Sequence, residues 1–431
     1  MLIIFRGCIM MNRKGFISTA ALYSFFLVFC MLLILIMTTY TNNRINYKGV
    51  KNDAKETAYK DFKAKNRYVD LPSSVINPEP VTPDPGLDPE PIPPETVYGW
   101  GQILLDNSNG KTTILNAQNY IKNKETPNFS VAATTNEDMF ATDDDLGTSY
   151  YFRGAVDNNW VKFGKENGKD IYWRIIRING DNSVRMIYSG TTPPISSTSI
   201  VMTGTGTQIG TGKFNNANTN PAYVGYMYTS NIQHGNSSSS LIKTTIDNWY
   251  KRTSLVNADA SKISDQVFCT DRTASTSFSG TPEEISGNLN TSTSYYYGGW
   301  SNIAYNKNPK LVCASNNDKF TVSTTNGNGL LSYPVGLITA EEIAMAGGAF
   351  NINNTNYYLY TNQIYFSGSP LSYSALNSTY LRAIMFRINQ NGALSWNCVD
   401  EVIGIRPVIS LSSMIKLSGD GTYNNPYEVT E

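Results

Sequence analysis

From Phe16 to Thr38 the chain runs FISTAALYSFFLVFCMLLILIMT without one charged residue. At about 1.5 Å per residue, this stretch is long enough to cross roughly 30 Å of hydrocarbon. A helix packed on a soluble core would keep a polar face, and this one has none. The pattern predicts a single transmembrane helix over 16–38. A cleaved secretory signal would have a shorter apolar region ending in a small-x-small site, and TTYTNNR contains none. Arg6, Arg13 and Lys14 precede the span, and Arg44, Lys48 and Lys51 follow it. The flanking charges therefore do not orient it. Long segments cross largely regardless of flanking charge, so the short residues 1–15 are expected in the cytoplasm and the long remainder outside. The expected location is the plasma membrane, single-pass, with an extracellular C-terminal domain.

Residues 39–70 form a basic stalk in which Ala54, Ala58 and Phe62 recur every four positions, a faint helical stripe. Residues 71–97 are a linker. Eight prolines fall between Pro78 and Pro94. Proline fixes φ and cannot donate to a ladder, so this run should be extended polyproline II, about 3.1 Å per residue. It would hold the following domain away from the membrane.

After residue 98 the period changes. Ile171–Ile178 is β-branched and aromatic. A polar turn at Asn179–Asn182 follows, then Val184–Tyr188, a hairpin. A second hairpin reads Ala383–Ile388, a turn at Asn389–Gly392, and Ala393–Trp396. Gly404–Leu411 reads as a last strand, with Pro407 tolerated only at an edge or bulge. Two segments have helical signals. Leu241–Arg252 puts Ile242, Ile246 and Trp249 on one face behind a serine cap, and Thr339 with Glu342 makes a capping box for a helix that Gly347 ends. Residues 190–240, 270–300 and 350–375 read as polar loops. The fold class expected for 98–431 is α+β, a mainly antiparallel sheet with few helices.

Charge changes this picture in one respect. The 431-residue chain has 34 basic and 34 acidic residues. Residues 1–70 hold eleven Lys/Arg and four Asp/Glu, a surplus of seven positive charges, so 71–431 has seven negative ones in excess. An acidic domain repels phosphate backbones, which argues against nucleic-acid binding. The basic segment beside the membrane suits anionic lipid or wall polymer.

Two resemblances add to this reading. Met11-Asn12-Arg13-Lys14-Gly15-Phe16, a basic leader and glycine before an apolar helix, resembles the class III leader of type IV prepilins and pseudopilins. The resemblance implies cutting by a prepilin peptidase between Gly15 and Phe16. Ala20 stands where that family has its assembly glutamate, which counts against filament incorporation. Met11 then reads as the initiator. The blocks SYYFRGAVDNNWVKF, YWRIIRINGDNSVRMIYSG, LITAEEIAMAGG and GIRPVISL resemble an uncharacterised surface domain of anchored proteins from Gram-positive gut bacteria. That group is distantly similar to C-type-lectin-like domains of the formylglycine-generating type, a likeness of fold that implies no activity.

Candidate chemistry is sparse. Outside the membrane, the cysteines are Cys269, Cys313 and Cys398. Cys269 and Cys313 each end a short apolar run, and export permits a disulfide between them. Cys398 is then left as a buried thiol. The alternative has all three reduced and buried. The single histidine, His234, sits in a polar loop and is read as solvated surface. With one histidine, a Ser-His-Asp triad and histidine-rich metal sites are not expected. Asp143-Asp144-Asp145 lacks EF-hand spacing and reads as a solvated loop rather than a calcium site. Tyr295, Tyr296 and Tyr297 could stack on a sugar, but partial burial is the commoner fate of such a cluster. Arg153 and Arg406 lie in apolar blocks and read as buried and paired.

No catalytic, cofactor-binding or metal-ligating residue is assigned. The expectation is a non-enzymatic surface display protein that binds a glycan, wall polymer or host protein, with membrane lipid as its other partner. Two alternatives remain: a minor pseudopilin of a pilus, competence or secretion machine, and an extracellular carboxylate-based hydrolase. The hydrolase needs a deep cleft with two facing acids.

Overall fold

Three antiparallel hairpins open the domain. In the computed structural model, which describes residues 121–275, 294–377 and 380–430, β1 (Asn136–Asp144) returns as β2 (Gly147–Gly154). β3 (Trp160–Glu166) returns as β4 (Lys169–Ile178), and β4 returns as β5 (Val184–Gly190). The β4–β5 hairpin is the one expected from its β-branched pattern. The β3–β4 turn carries a signal of its own, Asn167-Gly168, with φ of 50° and 79°. Two consecutive left-handed residues make the tight turn whose twist matches the strands.

These strands belong to a nine-stranded sheet. From one side it runs through Gly336–Leu337, Pro407–Leu411, β5, β4, β3, Tyr427–Thr430 and Lys416–Ser418, while β2 pairs with β4 and β1 with β2. Only Tyr427–Thr430 lies parallel to its neighbour, β3. A six-stranded sheet holds the second expected hairpin, Tyr380–Ile388 with Leu394–Cys398, beside Tyr365–Asn377. Among the described residues the domain is therefore mainly β and largely antiparallel.

Two expectations are corrected. Residues 365–375 read as a polar loop, but Tyr365–Asn377 is a strand. Its ladder to Tyr380–Ile388 slips at three places, which breaks the alternation a regular strand would show. Gly404–Leu411 is not one strand but two. Ile403–Ile405 belongs to the six-stranded sheet and Pro407–Leu411 to the nine-stranded one. Pro407, lacking an N–H, starts the second strand where the chain changes sheets.

Both expected helices form. α1 (Leu241–Tyr250) buries Ile242, Ile246 and Trp249. Trp173, Tyr188 and Trp249 meet edge to face, with centroids 5.5–6.3 Å apart, the favourable aromatic geometry. Ser240 caps α1: its Oγ accepts from the Lys243 N–H at 3.3 Å and donates to the Tyr226 carbonyl at 2.8 Å. Ser240→Ala is expected to destabilise the domain by about 1–2 kcal/mol in urea unfolding, because a cap and a buried hydrogen bond go together. α2 (Ala340–Met345) has the expected capping box of Thr339 and Glu342.

The chain divides between Pro91 and Ile92, and all described residues follow that point. The expected span 16–38, the leader at Gly15 and Phe16, the stalk and the linker lie outside the described residues. No helix among the described residues is long and apolar enough to cross a membrane.

Candidate functional site

The β4–β5 hairpin puts Arg177 directly opposite Arg185. Two neighbouring guanidiniums repel, so this pairing is stable only with acids between them. Glu342, three residues into the α2 capping box, supplies the first. Its Oε1 lies 2.9 Å from Arg177 Nε and 2.5 Å from Arg185 Nε. Asp144, the last residue of β1, supplies the second, 2.7 Å from Arg177 Nη1. Burial alone would raise the Glu342 pKa, but Arg185 and Arg177 outweigh it and hold it below the usual carboxylate range. Desolvation lowers Arg185 to about 10.

This network is one wall of a cleft. Its inner cavity is about 40 Å³, and the whole cleft with its mouth contains about 670 Å³ of empty space. The opposite wall carries Gln266, Cys269 and Asp271, then Gly299 and Asn302, with Lys310 and Val312 at the rim. Glu341 and Ser369 also face in. Cys269 and Cys313 are joined by a disulfide with a Cα–Cα distance of 5.8 Å, tying the 266–271 wall to the 310–313 rim. Asn302 comes from a π-helix, Trp300–Tyr305, a wide turn that occurs often at functional sites.

Glu341 differs from its neighbour Glu342. It is 8% exposed and has no cation within 4 Å among the described residues. The Ala340 N–H donates to Ser369 Oγ at 2.9 Å, which commits that hydroxyl to donate to Glu341 Oε2 at 3.0 Å. Burial, helped by the charge on Asp271, raises Glu341 from 4.5 to about 7, against hydrogen bonds from Ser369 and Asn302. Asp271 is raised as well, by burial first, with its own N–H donor from Thr273 opposing.

A carboxyl whose folded pKa is raised stabilises the fold most when protonated. Glu341's favourable contribution is thus present below pH 4.5 and lost as pH rises towards 7. Glu341→Gln keeps the shape and removes the charge. It is expected to stabilise the protein at pH 8 by up to about 3 kcal/mol and to change little at pH 4, as urea unfolding at the two pH values will show.

Compared with known proteins, the chain matches no family model, no curated protein and no solved structure.

Other candidate residues fall elsewhere. Asp143–Asp145 is not a solvated loop as expected, because Asp144 pairs with Arg177 and Asp145 with Lys319 at 2.9 Å. Among the described residues no group of three metal-ligating side chains converges. His234 is not plain solvated surface: its Nδ1 lies 2.8 Å from Asp318, which Arg272 also engages. Arg153 is buried and paired with Glu137 at 2.8 Å. Arg406 is buried but pairs with no acid among the described residues. Instead it donates to the carbonyls of Tyr188 and Leu359 and to the Tyr365 hydroxyl. Cys398 is a buried free thiol.

Tyr296 and Tyr297 show the partial burial expected of the tyrosine cluster. Tyr297 is fully buried, and Trp300 covers Tyr296 at 4.2 Å between ring centroids. Reading from the sequence missed Glu341 and Asp271. The signal for Glu341 was its place beside the capping glutamate, which turns the adjacent carboxyl into the same buried region. Nothing local marks Asp271.

Proposed function

We propose that the protein is a membrane-anchored cell-surface display protein whose domain of residues 98–431 binds an extracellular glycan or wall polymer without transforming it. The charge-free run 16–38 supports the anchor, and the proline linker supports display. The fold is proposed to be C-type-lectin-like, on the order of a first hairpin, a helix, long loops and a late hairpin leading into the strand at Gly404. One observation carries the binding reading: the cleft is lined by two carboxyls, Glu341 and Asp271, neither of which forms an ion pair within 4 Å among the described residues, His234 acting on Asp271 only at longer range. Buried charges left without a partner destabilise a fold, and binding sites are where such costs persist.

The test uses the full chain in detergent and purified cell-wall sacculi. Wild type is expected to co-sediment saturably. Val312→Arg, at an exposed rim position, should weaken this by about tenfold by crowding the mouth. Absence of co-sedimentation, or equal binding by the variant, rejects the reading. Protease treatment of intact cells should remove the domain, and protection would reject surface display.

The two acids also favour a second reading, a carboxylate-based hydrolase, with Glu341 held near neutrality as the proton donor and Asp271 as its charged partner. Release of reducing ends from the same sacculi, lost in Glu341→Gln, would establish the hydrolase and displace the display protein.

A further inference from the structure

The charges lining the cleft pair off incompletely. Asp144 is engaged by Arg177, Glu342 is shared by Arg177 and Arg185, and Asp145 is engaged by Lys319. Glu341 and Asp271 remain. Glu341 is more than nine-tenths buried, and its hydrogen-bond partners, Ser369 and Asn302, are neutral. Asp271 accepts from the Thr273 backbone N–H through Oδ1 and from the Thr273 side chain, again a neutral partner, with His234 and Asp318 acting on it electrostatically from further away. Lys310 stands at the mouth, exposed and bound to neither acid.

One oxygen of each acid lies beside the same short piece of backbone. A Cβ on Gly298 would sit 2.8 Å from Asp271 Oδ2, and a Cβ on Gly299 would sit 3.6 Å from Glu341 Oε1. Two consecutive glycines therefore keep side-chain bulk away from both carboxyls, and the cavity beside them stays open.

We propose that this cavity takes a primary ammonium group, held by the Glu341 and Asp271 carboxyls, at the end of a ligand that enters past Lys310 and Val312. The inference rests on the cleft being the ligand site, as proposed above. Three features select this class. A cavity of about 40 Å³ holds a head of two or three heavy atoms. An ammonium brings three N–H donors and one positive charge, which suits acceptor oxygens that have no cation within 4 Å among the described residues. The cleft lining contains no aromatic ring, so a quaternary ammonium would find neither donors to satisfy nor a π-face to rest on. No third metal-ligating group joins the two acids among the described residues.

The experiment titrates the full chain in detergent at pH 8 with ¹³C-methylammonium chloride, following the methyl resonance. Saturable binding is expected, in about the millimolar range for so small a ligand. Tetramethylammonium and acetamide should not compete. Glu341→Gln and Asp271→Asn should each weaken binding by about tenfold or more, with cooperative unfolding retained. Should Glu341→Gln fail to fold, Asp271→Asn and the competition series decide. No saturable binding by wild type, equal competition by acetamide, or wild-type affinity in the folded acid variants overturns the proposal. Sacculus binding that methylammonium leaves untouched would keep the binding role and overturn this inference alone.

Discussion

Glu342→Ala is expected to destabilise the domain by about 3–5 kcal/mol, because it leaves two adjacent buried arginines with one acid between them. The side chain is 1% exposed and makes three contacts at once. Oε1 faces Arg177 Nε and Arg185 Nε, and Oε2 accepts from the Thr339 N–H at 2.9 Å. Arg177 keeps Asp144, but Arg185 keeps no acid among the described residues: it retains the carbonyls of Val267 and Leu337, at 3.2 and 3.4 Å, and the face of the Phe268 ring, 4.6 Å away. Urea unfolding at pH 7 measures the loss. The sign of its pH dependence is fixed by the lowered Glu342 pKa: the stabilisation exists above the ordinary carboxylate pKa and disappears as pH falls through the folded value. The gap between variant and wild type should therefore narrow in acid. A loss under about 1 kcal/mol at pH 7 would mean that Glu341 swings across to replace its neighbour.

The second large effect concerns the disulfide. Cys269 and Cys313 are 44 residues apart in sequence. Closing a loop of that size removes enough freedom from the unfolded chain to stabilise the fold by about 4 kcal/mol. Cys269→Ala with Cys313→Ala should lower stability by that amount, and wild type treated with dithiothreitol should unfold with the double variant. The bridge also has a local task. Phe268–Cys269 pairs with Lys319–Phe320, and Asp271 lies two residues beyond Cys269. Without the bridge the 266–271 wall keeps that short pair, Arg272 and the hydrogen bonds of Gln266 to Asp181 and of Arg185 to the Val267 carbonyl, but loses its covalent tie to the rim at Cys313, so the cleft should lose ligand before the domain loses its fold. A variant that binds sacculi as wild type does would separate the bridge from the site.

Hairpins and helices were legible in the sequence because their causes are local. Ile171–Ile178 and Val184–Tyr188 carry β-branched and aromatic residues on both sides of a polar turn, and strand formation needs nothing more distant. Thr339 and Glu342 satisfy each other across one helical turn. Ser240 Oγ likewise accepts from the Lys243 N–H one turn on. The Asn167-Gly168 turn was equally local and equally readable. The bulged strand Tyr365–Asn377 was not, since its ladder slips at three points and the polar residues Ser367, Ser369 and Ser372 are buried within it. Its polarity is explained by partners far away in sequence, such as Glu341 for Ser369 and the Phe386 carbonyl for Ser367.

The sequence by itself determined the charge-free span, the proline linker, the two β-hairpins read from their pattern, both helix starts and the mainly antiparallel class. Each depends on residues within a few positions of one another. Tertiary structure alone decided the cleft. Arg177 and Arg185 meet across a ladder, Asp144 arrives from another hairpin, and Asp271 is brought in by a bridge to Cys313. It also decided that Glu342 is charged between two arginines while Glu341, one residue earlier, is held near neutrality. Adjacent side chains on a helix point about 100° apart, so identical residues one position apart can face a cation or an empty cavity. No local pattern carries that difference, because it is set by what each carboxyl meets across the fold.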